Sequence, residues 1–277
     1  MAKKVKDALG DRMKTFYEGI FNHTMPRRTN IIIRLDGKAF HTYTRGLKKP
    51  YDTGLNDDMD ATTQYLCKNI QGCKCGYVQS DEISLLLTDY DKLETDAWFG
   101  NKIQKMVSVA ASMATSKFNQ LRYIRAIGNQ EPGTDISKVL STMRVAEFDA
   151  RVFVIPNQEE VVNYFLWRQQ DATRNSISML AQAYFSQNEL HGKKTNDMQD
   201  MLMLEKKINW NDEPIRFKRG GFVKKITRVD NVVVQSYDMM SSGDISARAT
   251  GITRSAWETV DIPIISQDRD FLLNLMP

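Results

Sequence analysis

The chain has 277 residues, enough for one large domain or two small ones with a sizeable core. Its 42% apolar and 26% charged content is that of a globular protein, and no apolar run nears the ~20 residues of a membrane helix, which argues against a membrane protein. The net charge is only +4, but it is clumped at pairs such as Arg27-Arg28, Lys48-Lys49 and Lys224-Lys225, patches that attract phosphate or simply solvate a face. The charged N-terminus has no apolar core of a secretory signal, and three cysteines suit a reducing compartment, so a cytoplasmic location is expected. Cys67, Cys73 and Cys75 lack the paired C-x2-C spacing of a zinc site and read as ordinary helix, turn and strand residues.

Val5, Leu9, Met13, Phe16, Tyr17 and Ile20 recur at helical steps and predict an amphipathic helix over residues 3–22, broken by Pro26. The apolar run of residues 30–35 predicts a buried strand that ends at Asp36. A helix over 53–70 carries Asp57 and Asp58 in its first turns and stops at Gly72. Residues 75–79 and 82–88 read as a hairpin around a tight Ser80-Asp81 turn. A long helix over 97–119, a loop over 128–134 and a strand over 147–155 follow, and Pro156 separates that strand from a helix reaching about residue 185. Beyond it come short helices (187–191 and 195–206) and a polar, irregular or β-containing stretch. In that stretch Gly220-Gly221 precedes a hairpin of 222–227 and 232–236.

The order through residue 155 is β-α-β-β-α-β, so the expected fold class is α+β: a ferredoxin-like, polymerase-palm-like antiparallel sheet packed with long helices. Residues 1–220 are expected to form that palm-like domain with its flanking helices, and residues 221–277 a C-terminal helical or irregular extension. In such a sheet the end of the first strand lies beside the turn between the second and third. That topology brings Asp36 to Asp81 and Glu82. Converging carboxylates hold Mg²⁺, and two such ions drive phosphoryl and nucleotidyl transfer. Asp36 and Asp81 are therefore candidate ligands of two Mg²⁺ ions, Gly37 a backbone ligand and Glu82 a third carboxylate; taken singly, each segment also reads as a plain turn.

Other residues have two readings. Lys38, Ala39, Phe40 and His41 leave the strand end, where backbone amides suit a triphosphate; His41 suits either proton transfer or a local hydrogen bond. Lys102 and Lys105 share a face near a helix start, fit for an anion or for solvent. The polar run Trp167-Arg168-Gln169-Gln170-Asp171-Ala172-Thr173-Arg174-Asn175 inside a long helix suits a site or a subunit interface.

At these residues the chain resembles the tRNA(His) guanylyltransferase family of 3′-to-5′ polymerases. The matching stretches are Arg34-Leu35-Asp36-Gly37-Lys38-Ala39-Phe40-His41, Lys49-Pro50-Tyr51-Asp52, Gln79-Ser80-Asp81-Glu82-Ile83-Ser84, Trp98-Phe99 and Phe165-Leu166-Trp167-Arg168-Gln169-Gln170-Asp171, in order over about residues 5–225. The resemblance implies a palm using two Mg²⁺ ions, activation of a tRNA 5′-monophosphate by ATP or GTP, and attack on that end by the 3′-hydroxyl of an incoming nucleotide. It implies metal ligation by Asp36, Gly37 and Asp81, with Glu82 following. It implies nucleotide contacts by Lys38 to His41, Lys49, Asp52, Ser80, Lys102 and Lys105, and less directly by Asn209. Arg168, Asp171 and Asn175 become candidates for the tRNA 5′-end site, and a homotetramer built from dimers is implied.

Eukaryotic members carry H-I-N-N-L-Y-N after the R-Q-x-D motif, whereas this chain has Thr173-Arg174-Asn175-Ser176-Ile177-Ser178-Met179, which resembles the bacterial and archaeal guanylyltransferase-like branch. The resemblance thus points to template-dependent repair of tRNA 5′ ends. Addition of a single G to tRNA(His), a palm-fold nucleotide cyclase and a non-catalytic tRNA-binding protein are the rival readings.

Overall fold

A computed structural model of the chain describes residues 7–236 and 246–277. Helix α1 (Ala8–Met13) runs on through a π turn (Lys14–Glu18) and a 3₁₀ turn (Gly19–Phe21). Strand β1 (Asn30–Gly37) is followed by the short α2 (Phe40–Tyr43), then α3 (Thr53–Asn69). The hairpin β2 (Cys73–Gln79) and β3 (Glu82–Thr88) precedes a 3₁₀ turn (Trp98–Asn101) and α4 (Ile103–Gly128). Next come α5 (Ile136–Thr142), β4 (Phe148–Ile155) and α6 (Gln158–Tyr184). The chain ends with α7 (Gln187–Leu190), α8 (Thr195–Met201), α9 (Ile215–Arg219), β5 (Gly221–Ser236), β6 (Ser246–Val260) and α10 (Asp270–Leu273).

One antiparallel sheet has the order β4-β1-β3-β2-β5-β6. Its first four strands have the expected ferredoxin-like arrangement, and the fold is α+β as the sequence pattern predicts. Successive strand residues point to opposite faces. Ile31, Ile33, Leu35, Ile83, Leu85 and Leu87 accordingly pack on the side covered by α3 and α4. Small residues in α4, Ala110 and Ala114, are fully buried and let that helix lie close to the sheet. Ile32, Leu86 and Tyr77 face the other way, against Val161, Val162 and Phe165 of α6 and Ile262, Ile265 and Leu272 near the C-terminus. Each fully buried large side chain contributes about 1.5–3 kcal/mol relative to exposure.

Three local expectations change. The hairpin expected within 222–236 is instead one strand, β5, whose partner is β6; the register runs from Phe222↔Val260 to Ser236↔Ser246. Arg228-Val229-Asp230-Asn231 reads as a turn from composition, but the ladder to β6 satisfies its backbone and keeps it extended. The helix expected from residue 97 starts at Ile103, because Phe99, Gly100 and Asn101 all take left-handed backbone angles. The N-terminal stripe exists but is not buried: Leu9, Phe16, Tyr17 and Ile20 are exposed, and Val5 lies outside the described residues. Cys67 and Cys75 are buried thiols raised in pKa chiefly by that burial, and no group of three or more metal-ligating side chains occurs among the described residues.

Candidate active site

The register Arg34↔Ser84 and Leu35↔Ile83 carries the end of β1 to the β2–β3 turn. Arg34 and Asp36 share the α6-facing side with Ile32, while Ser80 takes φ 47° to close the turn and presents Asp81. Asp36 and Asp81 thereby line one cleft of about 410 Å³, whose other wall is the Arg168, Asp171, Asn175 and Met179 stripe of α6. The Asp81 carboxyl is pushed above its usual range, first by burial and further by the negative charges of Asp36 and Glu82, against an opposing hydrogen bond from Ser80. Among the described residues neither Asp36 nor Asp81 belongs to an ion pair; the two arginines of the cleft, Arg34 and Arg168, are paired with Glu82 instead.

Glu82, the expected third carboxylate, differs from its neighbour in being held by ion pairs. Its Oε2 accepts from Arg168 Nη1 at 2.8 Å and lies 2.6 Å from Arg34 Nη2. Its Oε1 is buried without a hydrogen-bond partner. Arg168 is itself buried, 3.5 Å from Asp171 and 3.6 Å from the centroid of the Trp167 ring. The reason is strand alternation: Glu82 points beneath α6, where two guanidiniums already hold it. Arg168 is therefore engaged by Glu82 and mostly buried where it lines the cleft, whereas Asp171 and Asn175 line it with more of their surface exposed. The Tyr164 hydroxyl, 2.8 Å from Ser84 Oγ, completes this polar layer, and burial pushes its pKa up to about 12.

A second cleft, of about 430 Å³, meets the first at Ser80, Met179 and Gln182 and is lined by His41, Lys48, Lys49, Tyr51 and Asp52. Asp52 is engaged as the N-cap of α3, accepting from Leu55 N at 2.8 Å. Ala39, in a left-handed conformation, turns the chain into α2. Phe40, an expected nucleotide contact, is buried against Tyr43, Phe118 and Phe148. Its ring explains Gly37, where a Cβ would lie 2.2 Å from Phe40 Cδ2. Lys38 pairs with Glu147 and lines a separate cleft with Ser112, Ser116 and Asp149 beside α4.

Lys102 and Lys105 do not stand beside Ser80. They line a cleft with Lys14, Glu18 and Asn22, at the start of a helix about 39 Å long whose far end carries the Arg125–Asp58 pair. Asn209 is exposed and caps its own 3₁₀ turn (Trp210–Asp212). Sequence reasoning missed Arg34 as a partner of Glu82. It also missed Arg144, whose Nη1 donates to the carbonyls of Thr42, Tyr43 and Arg45 and so holds the segment after His41. Arg34 was detectable from strand period alone; Arg144, about a hundred residues from its partners, was not.

The tRNAHis guanylyltransferase family model matches residues 10–156, a span that holds both acidic strand ends. The chain belongs to the tRNAHis guanylyltransferase family. It is accordingly a nucleotidyltransferase. A bacterial tRNA(His) guanylyltransferase (Thg1)-like protein in complex with ATP is similar at 42% identity and a TM-score of 0.78, over 97% of this chain and 99% of that one. A GTP complex of such a bacterial protein is similar at 41% identity and 0.73, over 98% and 99%. The tRNA(His) guanylyltransferase of Debaryomyces hansenii is 28% identical over 228 residues, 78% of this chain and 77% of that protein. No helix among the described residues is long and apolar enough to cross a membrane.

Proposed function

We propose that this enzyme adds nucleotides to the 5′ end of a tRNA in the 3′-to-5′ direction, using ATP and GTP, and that its task is templated repair of shortened 5′ ends. The observation that carries the reading is the Asp36–Asp81 pair, without an ion-pair partner among the described residues, in a cleft that meets a second one at Ser80. Family membership and the ATP and GTP complexes of bacterial relatives support the nucleotide substrates. The missing histidine after Asp171 supports repair over single-G addition.

Two Mg²⁺ ions fit the donor set: Mg²⁺ typically takes one or two carboxylates and completes its shell with water and substrate phosphates. Asp36 and Asp81, with the Gly37 carbonyl, would hold them, and the ions would supply neutralisation of charge on the transferring phosphate. The chain's own groups do the rest. His41 and Lys49 line the cleft for a triphosphate, with Lys49 available as a point charge. Asp171 and Asn175 border the cleft where the RNA 5′-phosphate would rest. In the first step an oxygen of that 5′-phosphate attacks the α-phosphorus of ATP, with release of pyrophosphate. In the second the 3′-hydroxyl of an incoming nucleotide attacks the activated phosphate, with release of AMP. The exposed apolar side chains Leu9, Phe16, Tyr17, Ile20 and Phe21 support self-association, in keeping with a tetramer.

The test is a tRNA lacking its first nucleotide and labelled at the 5′ end, incubated with the protein, ATP, GTP and Mg²⁺. Templated 5′ extension is the expected result. No extension by folded protein refutes the reading, and a cyclic nucleotide product in its place supports a cyclase.

A further inference from the structure

Trp167 is 47% exposed, although a tryptophan is costly to leave in water and its neighbours Tyr164 and Phe165 on α6 are buried. Its ring has the Arg168 guanidinium 3.6 Å from its centroid and the Arg34 guanidinium 6.0 Å away. The Tyr164 ring meets it edge-on at 6.0 Å. Both arginines line the cleft that contains Asp36 and Asp81, so the ring stands at the margin of that cleft. Arg34 and Asp36 are two residues apart on β1, about 7 Å along the strand. Arg151, exposed on β4 and 3.7 Å from Asp149, is the cross-strand partner of Arg34. A rigid, half-exposed indole held by guanidiniums beside a phosphate-handling pair has the composition of a base-stacking platform for single-stranded or terminal RNA bases.

We propose that Trp167 stacks on the 5′-terminal nucleobase of the RNA whose phosphate lies at Asp36 and Asp81. The inference rests on the tRNA-end reading above and specifies which end of the site the RNA occupies. Met179 and Gln182, which border both clefts, lie about 18–23 Å further along α6 than Trp167, so the ring stands at the end of the first cleft away from their junction. Glu82 Oε2 pairs with Arg34 Nη2 and Arg168 Nη1 and so fixes both guanidiniums against the ring, whose exposed part is left to the base.

The experiment measures binding by fluorescence anisotropy of two labelled RNA hairpins. One ends in a 5′-monophosphorylated nucleotide; the other is identical but abasic at that nucleotide. Trp167→Ala is expected to weaken binding of the intact RNA about tenfold, the scale of one lost base stack. It should leave the abasic RNA and the dissociation constant for ATP unchanged, and Trp167→Phe should restore most of the affinity. Equal weakening for both RNAs would show a packing role and overturn the proposal, as would wild-type affinity in Trp167→Ala or a change confined to ATP. If the wild-type protein binds neither RNA, the tRNA-end reading falls first and the stack with it, a result distinct from the other failures.

Discussion

Two groups of carboxylates in this molecule solve the same electrostatic problem in opposite ways. Asp58, on the α3–α4 side, is buried with Arg122 Nη1 at 3.1 Å and Arg125 Nη2 at 2.9 Å, and Glu82 is held likewise by Arg34 and Arg168. Asp36 and Asp81 have no such partner among the described residues, and Asp81 is driven above the usual carboxyl range by burial first. A carboxylate neutralised within the fold is fastening elements together. A carboxylate left without a cation is stabilised only when something from solution supplies the charge, which is what a site must leave open.

The comparison breaks most sharply if either open carboxylate proves dispensable. Asp36→Ala and Asp81→Ala should each lower 5′ extension by ~10²–10³-fold or more, with circular dichroism unchanged, because charge stabilisation of the transition state is lost. The fastened group should behave in reverse. Asp58→Ala leaves the Arg122 guanidinium without its anion and Arg125 with only Asp57 at 3.6 Å, and should cost about 3 kcal/mol in urea unfolding, near the low end for a buried pair because Arg125 is over a third exposed. Extension per folded molecule should survive that change.

Glu82→Gln sharpens the comparison further. It preserves shape and one acceptor, so a loss of about 2 kcal/mol in stability and a modest drop in rate are expected. Asp81→Asn should have the smallest effect on stability and the opposite sign: a higher melting temperature than wild type in chelator. The sign follows from the raised folded-state pKa. Such a group contributes stability below its unfolded pKa and loses it as pH rises through the folded one. The advantage of the asparagine should therefore grow as pH climbs from the ordinary value of 3.8 through the raised range, then level off. Melting curves at a series of pH values check this.

The strand order and the meeting of Asp36 with Asp81 were legible because period-two apolar runs and a Ser80-Asp81 turn fix the register locally. What was not legible depends on long-range partners. Glu82 and Arg168 are 86 residues apart, and no local pattern pairs them. Phe40 sits in a segment of polar neighbours and reads as a site residue, yet its ring fills the aromatic cluster of Phe118 and Phe148. Lys102 and Lys105 satisfy an anion-binding pattern at a helix start, but the direction of α4 carries them away from Ser80. The length of β5 escaped because its extension past the rest of the sheet depends on pairing with a separate strand, β6, that no local pattern in β5 reveals.

The most direct measurement of the central claim is a calorimetric titration of Mg²⁺ with ATP into wild type, Asp81→Asn and Glu82→Gln. Binding by wild type and Glu82→Gln, with loss of the Mg²⁺-dependent component in Asp81→Asn, is the predicted result. Equal Mg²⁺-dependent binding by Asp81→Asn, or its loss in Glu82→Gln alone, would contradict the division between open and fastened carboxylates.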